Sequence, residues 1–137
     1  MFEHTIQIRV RYGETDKMGY LYYGNYAMYF EVGRVEAIRS LGISYKEIED
    51  EKGILLPVTQ MNSKYFRPAH YDELLTLKTS VREKPSRFMV FHSEVYNEKN
   101  KLLNKTEVTL AFVDTNTRKA ISCPDFIEQS LKPYFES

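Results

Sequence analysis

The stretch NYAMYFEVGRVEAIRSLG, residues 25–42, decides the fold because its hydrophobic pattern has the period of an α-helix. Apolar or small residues recur there at helical spacing: Tyr26, Tyr29, Phe30, Gly33, Ala37 and Leu41. Four charged residues surround this stripe: Glu31, Arg34, Glu36 and Arg39. Gly42 follows in the position that commonly ends a helix. We therefore predict a helix from about Asn25 to Leu41, with small residues that let it lie close against a sheet.

Most of the remaining chain has strand-like patterns, separated by turn signals. The predicted strands are residues 4–12, 55–66, 72–84, 87–98 and 101–114. The other predicted elements are a short helical stretch at 44–52, a short strand after Thr117-Arg118, and a helix from Pro124 to Phe135 with Pro124 as its first residue. Because strands and helices do not alternate, a doubly wound parallel sheet is disfavoured. We predict an α+β fold in which one long helix packs on an antiparallel sheet, whose exposed edges favour pairing with a second copy.

Size and composition limit the class of protein. The 137 residues suit one domain, and 19 Lys+Arg balance 19 Asp+Glu, so charge does not favour nucleic acid or an anionic membrane. The single cysteine excludes an internal disulfide and a multi-cysteine zinc site, and the three histidines lack metal-binding spacing. The N-terminus is not a continuous apolar run, and no stretch approaches the ~20 apolar residues of a membrane helix. We expect a cytoplasmic protein without metal or cofactor, and without a nucleic-acid or membrane partner.

Several catalytic motifs are absent from the sequence. It contains no G-x-S-x-G nucleophile turn and no G-x-G-x-x-G dinucleotide turn. Gly19 and Gly24 have the spacing of a phosphate-binding loop, but Asn25 and Tyr26 replace the residues that bind phosphate and magnesium. Cys123 lies in a C-terminal turn without an activating neighbour, which favours a structural role.

The loop GETDKMG, residues 13–19, places Asp16 within ten residues of the predicted helix start. A helix start offers unpaired backbone N–H groups and a positive dipole end, which polarise a carbonyl and stabilise an oxyanion. A nearby carboxylate can attack that carbonyl or activate a water molecule, which suffices for a thioester because a thiolate leaves easily. A simpler interpretation stays open at this point: Asp16 is a turn former and Asn25 a helix cap.

The segment RYGETDKMGYLYYGNY at 11–26, continued by YFEVGRVE at 29–36, resembles the 4-hydroxybenzoyl-CoA thioesterase family of hotdog-fold acyl-CoA thioesterases. The resemblance extends more loosely through YFRPA at 65–69 and DEL at 72–74 into the strands. It implies a single hotdog domain, in which a five- or six-stranded antiparallel sheet wraps a long central helix. It also implies an acyl-CoA substrate and a homodimer or homotetramer with its site at a subunit interface.

The resemblance assigns catalytic roles to two residues of this chain. Asp16 matches the family's catalytic carboxylate, and the backbone N–H of Tyr23 matches the group that polarises the thioester carbonyl. Many relatives have histidines where this chain has Tyr22 and Tyr23, so a histidine base is excluded there and Asp16 is expected to act alone. Tyr22 and Asn25 are candidate substrate-binding residues, although core packing explains Tyr22 equally well. Glu14 is the one alternative carboxylate.

Relatives often bind the phosphates of CoA near the turn that holds Lys84 and Arg87, so these two residues are candidate substrate-binding residues here. A solvated turn carries basic residues in any case. Three alternative functions remain: an acyl-[acyl carrier protein] thioesterase, a non-catalytic acyl-CoA-binding dimer, and a hotdog dehydratase. The dehydratase is disfavoured because the loop from Gly13 to Tyr26 has no histidine.

Overall fold

The computed structural model describes residues 1–136. Its strands are β1 (Phe2–Arg9), β2 (Ile54–Leu55), β3 (Val58–Tyr65), β4 (Leu74–Val81), β5 (Phe88–Tyr96), β6 (Leu102–Asp114) and β7 (Ala120–Ile121). Its helices are α1 (Tyr26–Ser40), α2 (Tyr45–Asp50) and α3 (Asp125–Leu131). Short 3₁₀ turns cover Tyr12–Glu14, Tyr23–Asn25 and Lys132–Tyr134. None of these helices has the length and apolar character needed to cross a membrane.

All strand pairs are antiparallel, in the order β1-β4-β5-β6, with β3 on the other side of β6. The short strands β2 and β7 pair with the last residues of β6. The sheet therefore has seven strands, two of them only two residues long, where five or six were predicted. The single strand predicted over 55–66 is wrong, because Pro57, which lacks an N–H group, separates β2 from β3.

Helix α1 lies across the inner face of the sheet, as its small residues predicted. A Cβ atom on Gly33 would lie 2.6 Å from Thr79 Oγ1 and 2.8 Å from a methyl carbon of Leu77, so only glycine fits at this distance from β4. The helix ends at Ser40, and Gly42 follows with a φ of +87°. A long helix wrapped by an antiparallel sheet is the hotdog arrangement, so the predicted α+β fold is confirmed.

Two details of the helices differ from the prediction. Arg34 was placed on the charged face of α1 but is only 7% exposed, because α2 covers it and brings Tyr45 beside the guanidinium. Pro124 precedes α3 as its N-cap residue and is not its first helical residue, and the helix gives way to a 3₁₀ turn after Leu131.

A row of polar side chains divides the core between α1 and the sheet. The cross-strand neighbours in this row are His4, Thr79, Ser93, Thr106 and Ser63. On one side of it lies a cluster that includes Phe2, Ile38, Val81, Phe91 and Phe112. On the other side lies a cluster that includes Leu21, Tyr26, Tyr29, Phe30 and Ala69. This second cluster fixes the start of α1 and the loop before it.

Candidate functional site

Asp16 lies at the first corner of a tight loop that its own side chain closes. Its backbone N–H donates to the carbonyl of Tyr20 (2.8 Å), and its Oδ1 accepts from the N–H groups of Met18 (2.9 Å) and Tyr20 (3.2 Å). Gly19 allows the turn with a φ of +79°. Within residues 1–136, Oδ2 accepts no hydrogen bond. One carboxylate oxygen is therefore fixed by the loop, and the other has no donor among the described residues.

The Asp16 loop is attached to the segment that follows β3. Tyr20 forms a bridge with His70, and the Leu21 N–H donates to the carbonyl of Ala69 (2.7 Å). Leu21 and Ala69 are both buried in the core cluster under the start of α1. These contacts bring Asp16 next to the segment 66–68, which is distant in sequence.

The helical run that leads into α1 begins at Tyr23, and Tyr22 precedes it in an extended conformation. The N–H of Tyr23 has no acceptor within the described residues, as is usual for the first N–H groups of a helix. No side chain caps this end. The Tyr23 N–H is therefore not engaged by any other group of residues 1–136.

Asp16 and Tyr23 line the same open cleft, of about 360 Å³. The residues that line it with them include Tyr26, Tyr65, Phe66 and Arg67. The rings of Tyr26 and Tyr65 meet edge to face at 5.3 Å. Burial raises the pKa of Tyr26 to about 12, so its hydroxyl stays neutral. The cleft is therefore lined by one carboxylate residue, several aromatic residues that include Tyr23, and one cation, Arg67.

The Glu14 carboxylate, unlike that of Asp16, is hydrogen-bonded at both oxygens and is therefore not suited to act as a base. It is buried, and both carboxylate oxygens accept hydrogen bonds from Arg11 and Tyr29. Burial alone would raise the pKa of Glu14, but the hydrogen bonds from Arg11 and Tyr29 outweigh it and lower the pKa to about 2. Glu14 therefore remains an ionised, fully engaged carboxylate.

Tyr22 and Asn25, predicted as substrate-binding residues, do not line the Asp16 cleft. The ring of Tyr22 lies against the ring of Tyr23 at 4.8 Å and over Gly24, where an added Cβ would lie 2.7 Å from it. The side-chain amide of Asn25 donates to the carbonyl of Glu14 (2.9 Å) and caps no helix N–H. Asn25 does occupy the N-cap position of α1, but its side chain does not cap the helix, because the 3₁₀ turn moves the start of the helical run back to Tyr23.

Lys84 and Arg87 lie far from Asp16 within one chain. Strand β4 runs from the Asp16 side of the sheet to the turn that holds these two residues. Its eight residues span roughly 25 Å at the usual rise per residue. Lys84 forms an ion pair with Glu128 (3.0 Å), and Arg87 is exposed in the turn before β5. Arg67 lines the cleft, and Lys17 follows Asp16 in the sequence without lining it. Sequence reasoning did not select these two, although the turn at Arg67-Pro68 marked where the chain leaves β3.

Comparison with known proteins agrees with this fold. The thioesterase superfamily profile matches residues 18–104. The putative acyl-CoA thioesterase YneP of Bacillus subtilis is 36% identical over 115 residues, which cover 84% of this chain and 83% of that protein. The acyl-CoA thioester hydrolase YbgC of Escherichia coli is 30% identical over 125 residues, covering 91% of this chain and 92% of that protein.

A solved structure extends the similarity to three dimensions. The crystal structure of DHNA-CoA thioesterase from Staphylococcus aureus has a TM-score of 0.87 and 36% identity, and the match covers 100% of this chain and 97% of that chain. The predicted family resemblance is therefore confirmed. The chain belongs to the thioesterase superfamily and is a thioester hydrolase.

Proposed function

We propose that this chain hydrolyses acyl-CoA thioesters to the free acid and CoA, with Asp16 as general base or nucleophile and the Tyr23 N–H polarising the carbonyl. The observation that carries the proposal is that Asp16 and Tyr23 line one cleft. The names of the relatives YneP and YbgC support CoA as the carrier of the acyl group.

The chemistry needs few groups because the leaving group is good. The thioester carbonyl oxygen accepts a hydrogen bond from the Tyr23 N–H, which stabilises the oxyanion that forms on attack. Asp16 either removes a proton from the attacking water or itself attacks the carbonyl carbon. The carbon–sulfur bond then breaks, the CoA thiolate leaves and takes up a proton, and water supplies the hydroxyl of the acid. No histidine is needed in the loop from Gly13 to Tyr26.

The walls of the cleft favour an aromatic acyl group. Tyr26, Tyr65 and Phe66 offer ring faces and edges on which an aryl ring stacks well. The similarity to a DHNA-CoA thioesterase over the whole chain points in the same direction. A panel of aryl and aliphatic acyl-CoA esters tests this preference, and the same acyl group on acyl carrier protein tests the alternative carrier.

We further propose that the working enzyme is a homodimer or a larger homo-oligomer. Strand β3 forms one edge of the sheet, and seven of its eight residues are exposed, so neither face is well covered. Val58, Met61 and Tyr65 expose about half of their surfaces along it. Tyr65 also lines the Asp16 cleft, so a second copy on β3 would lie next to the cleft and complete its wall. We propose that in such an assembly Lys84 and Arg87 of one copy bind the CoA phosphates at the other copy's cleft.

Thiol release from acyl-CoA esters by the purified protein and its Asp16→Asn variant is the decisive experiment. We expect kcat to fall by a factor on the order of 10²–10⁴ in the variant, the range attributed to a positioned acid or base. Asp72→Asn is the matched control, because Asp72 is an exposed loop aspartate outside the cleft with a φ of 69° that asparagine tolerates. Wild-type rates in Asp16→Asn would refute the proposal. The cytoplasmic location remains a prediction.

A further inference from the structure

Glu14 accepts five hydrogen bonds, although it lies outside the Asp16 cleft and two residues before Asp16. A buried carboxylate is unfavourable unless its oxygens are paired. Such a complete set of hydrogen-bond partners on a second carboxylate of the Asp16 loop requires an explanation. The donors come from the segment before the loop and from the start of the helical run, so Glu14 connects the two halves of the site.

The backbone carbonyl of Glu14 holds the helix start. It accepts hydrogen bonds from the Tyr22 N–H (2.9 Å) and from the side-chain amide of Asn25 (2.9 Å). These donors lie on either side of Tyr23 in the sequence. The position of the Tyr23 N–H is therefore set from both sides by the same oxygen atom.

The carboxylate of Glu14 holds the first turns of α1 and the segment before the loop. Oε1 accepts from the Tyr29 hydroxyl (2.6 Å) and the Arg11 N–H (3.0 Å), and Oε2 accepts from the Arg11 guanidinium (2.6 Å). Tyr29 is 2% exposed and packs in the core cluster beneath the site. Because the Tyr29 ring is fixed in the core, its hydroxyl holds the Glu14 carboxylate in a fixed position.

We propose that Glu14, with Tyr29 as its buried partner, is a positioning residue that sets the separation between the Asp16 carboxylate and the Tyr23 N–H. The inference rests on the proposed function of the Asp16 cleft. Glu14 does not touch the substrate; it acts by fixing the two groups that do. A displacement of about 1 Å between such groups is enough to lower a rate on the order of a hundredfold.

The test compares Glu14→Gln and Tyr29→Phe with wild type on one acyl-CoA ester. We expect kcat to fall on the order of ten- to a hundredfold in each variant, with KM changed less than about twofold, because binding groups in the cleft are retained. Because both changes weaken the same hydrogen-bond network around the Glu14 side chain, the double variant is expected to be less impaired than two independent effects would make it. Tyr45→Phe is the control: Tyr45 is a tyrosine outside the cleft whose buried hydroxyl has no partner within residues 1–136.

Folding of each variant is checked by its far-ultraviolet circular dichroism and melting temperature. A folded variant with wild-type kcat overturns the proposal, as does a change confined to KM or to the melting temperature. If Glu14→Gln and Tyr29→Phe are unfolded, Asn25→Ala decides, because it removes one donor to the Glu14 carbonyl from a half-buried position. Unchanged kcat in that variant refutes positioning. Failure of the proposed function has a different signature: wild type itself releases no thiol from any acyl-CoA ester.

Discussion

At the scale of single residues, Asp16 and Glu14 show how two carboxylates of one short loop acquire different chemistry. Asp16 has one oxygen fixed by two backbone N–H groups and the other directed to no protein donor within the described chain. Glu14 has both oxygens engaged and is buried. The difference follows from the side-chain positions that the tight turn allows, and residue type alone does not reveal it.

The depressed pKa of Glu14 predicts a specific pH dependence of stability. Its pKa falls from 4.5 to about 2 on folding, so the ionised form stabilises the fold. This stabilisation is fully present above about pH 5 and is lost as the pH falls toward 2. At 1.36 kcal/mol per pKa unit, it amounts to about 3 kcal/mol at most.

Urea unfolding of wild type and Glu14→Gln between pH 3 and pH 7 measures this effect. The difference in unfolding free energy between the two proteins is expected to be largest near neutral pH and to shrink as the pH falls below about 5. Glu49→Gln, a change of an exposed glutamate on α2, provides the control and is expected to show no such trend. A difference that is constant across the range would contradict the assigned ionisation of Glu14.

Arg67 is predicted to bind the phosphates of CoA, because it is the one cationic side chain that lines the cleft among the described residues. Arg67→Gln is expected to raise KM for an acyl-CoA ester roughly ten- to a hundredfold, since a charge-assisted hydrogen bond contributes about 1.5–3 kcal/mol. KM for the same acyl group on N-acetylcysteamine, which has no phosphate, is expected to stay unchanged. Arg87→Gln, measured with the same two substrates, tests the phosphate contact predicted from the turn before β5.

At the scale of elements, the contact between α1 and β4 determines how closely the helix approaches the sheet. Gly33→Ala is expected to destabilise the protein by about 1–3 kcal/mol, because the new Cβ would overlap Thr79 and Leu77, both buried. The gain in helix propensity from glycine to alanine, up to about 1 kcal/mol, is too small to cancel this. Gly13→Ala is the control, since nothing lies within 4 Å of a Cβ there. Chemical denaturation gives both values, and equal stability of the two variants would show that the helix can shift without penalty.

The elements that could be predicted from the sequence are those whose signal is local. The helix over 25–42 was identified from its period alone, and Gly33 and Gly42 from the geometry that each position requires. The burial of Arg34 could not be predicted, because it depends on where α2 returns over α1. Within the site, Asp16 and Tyr23 are close in sequence and were selected. Arg67 was not selected, because it reaches the cleft through the pairing of Leu21 with Ala69. This pairing joins segments that are distant in the sequence.

At the scale of the whole molecule, the two edges of the sheet differ in how they are protected. The edge strand β1 places the polar or charged residues Glu3, Thr5, Gln7 and Arg9 outward, and its other side chains are partly or fully buried. The edge strand β3 is exposed on both faces and carries apolar side chains. An uncovered apolar edge is a template for pairing with another chain. The asymmetry indicates which edge a second copy would cover.

Met61→Lys is therefore predicted to weaken self-association and, with it, activity. Met61 lies in the middle of β3 and is 47% exposed, so a charge there opposes pairing of two copies without disturbing the core of one. Thr5→Lys, a similar change on the exposed face of β1, is the control. Analytical ultracentrifugation is expected to show a smaller species for Met61→Lys only, and thiol release should fall in the same variant because the cleft beside Tyr65 loses its second wall. A Met61→Lys protein that sediments as a monomer yet retains wild-type kcat and KM would show that one chain forms the complete site.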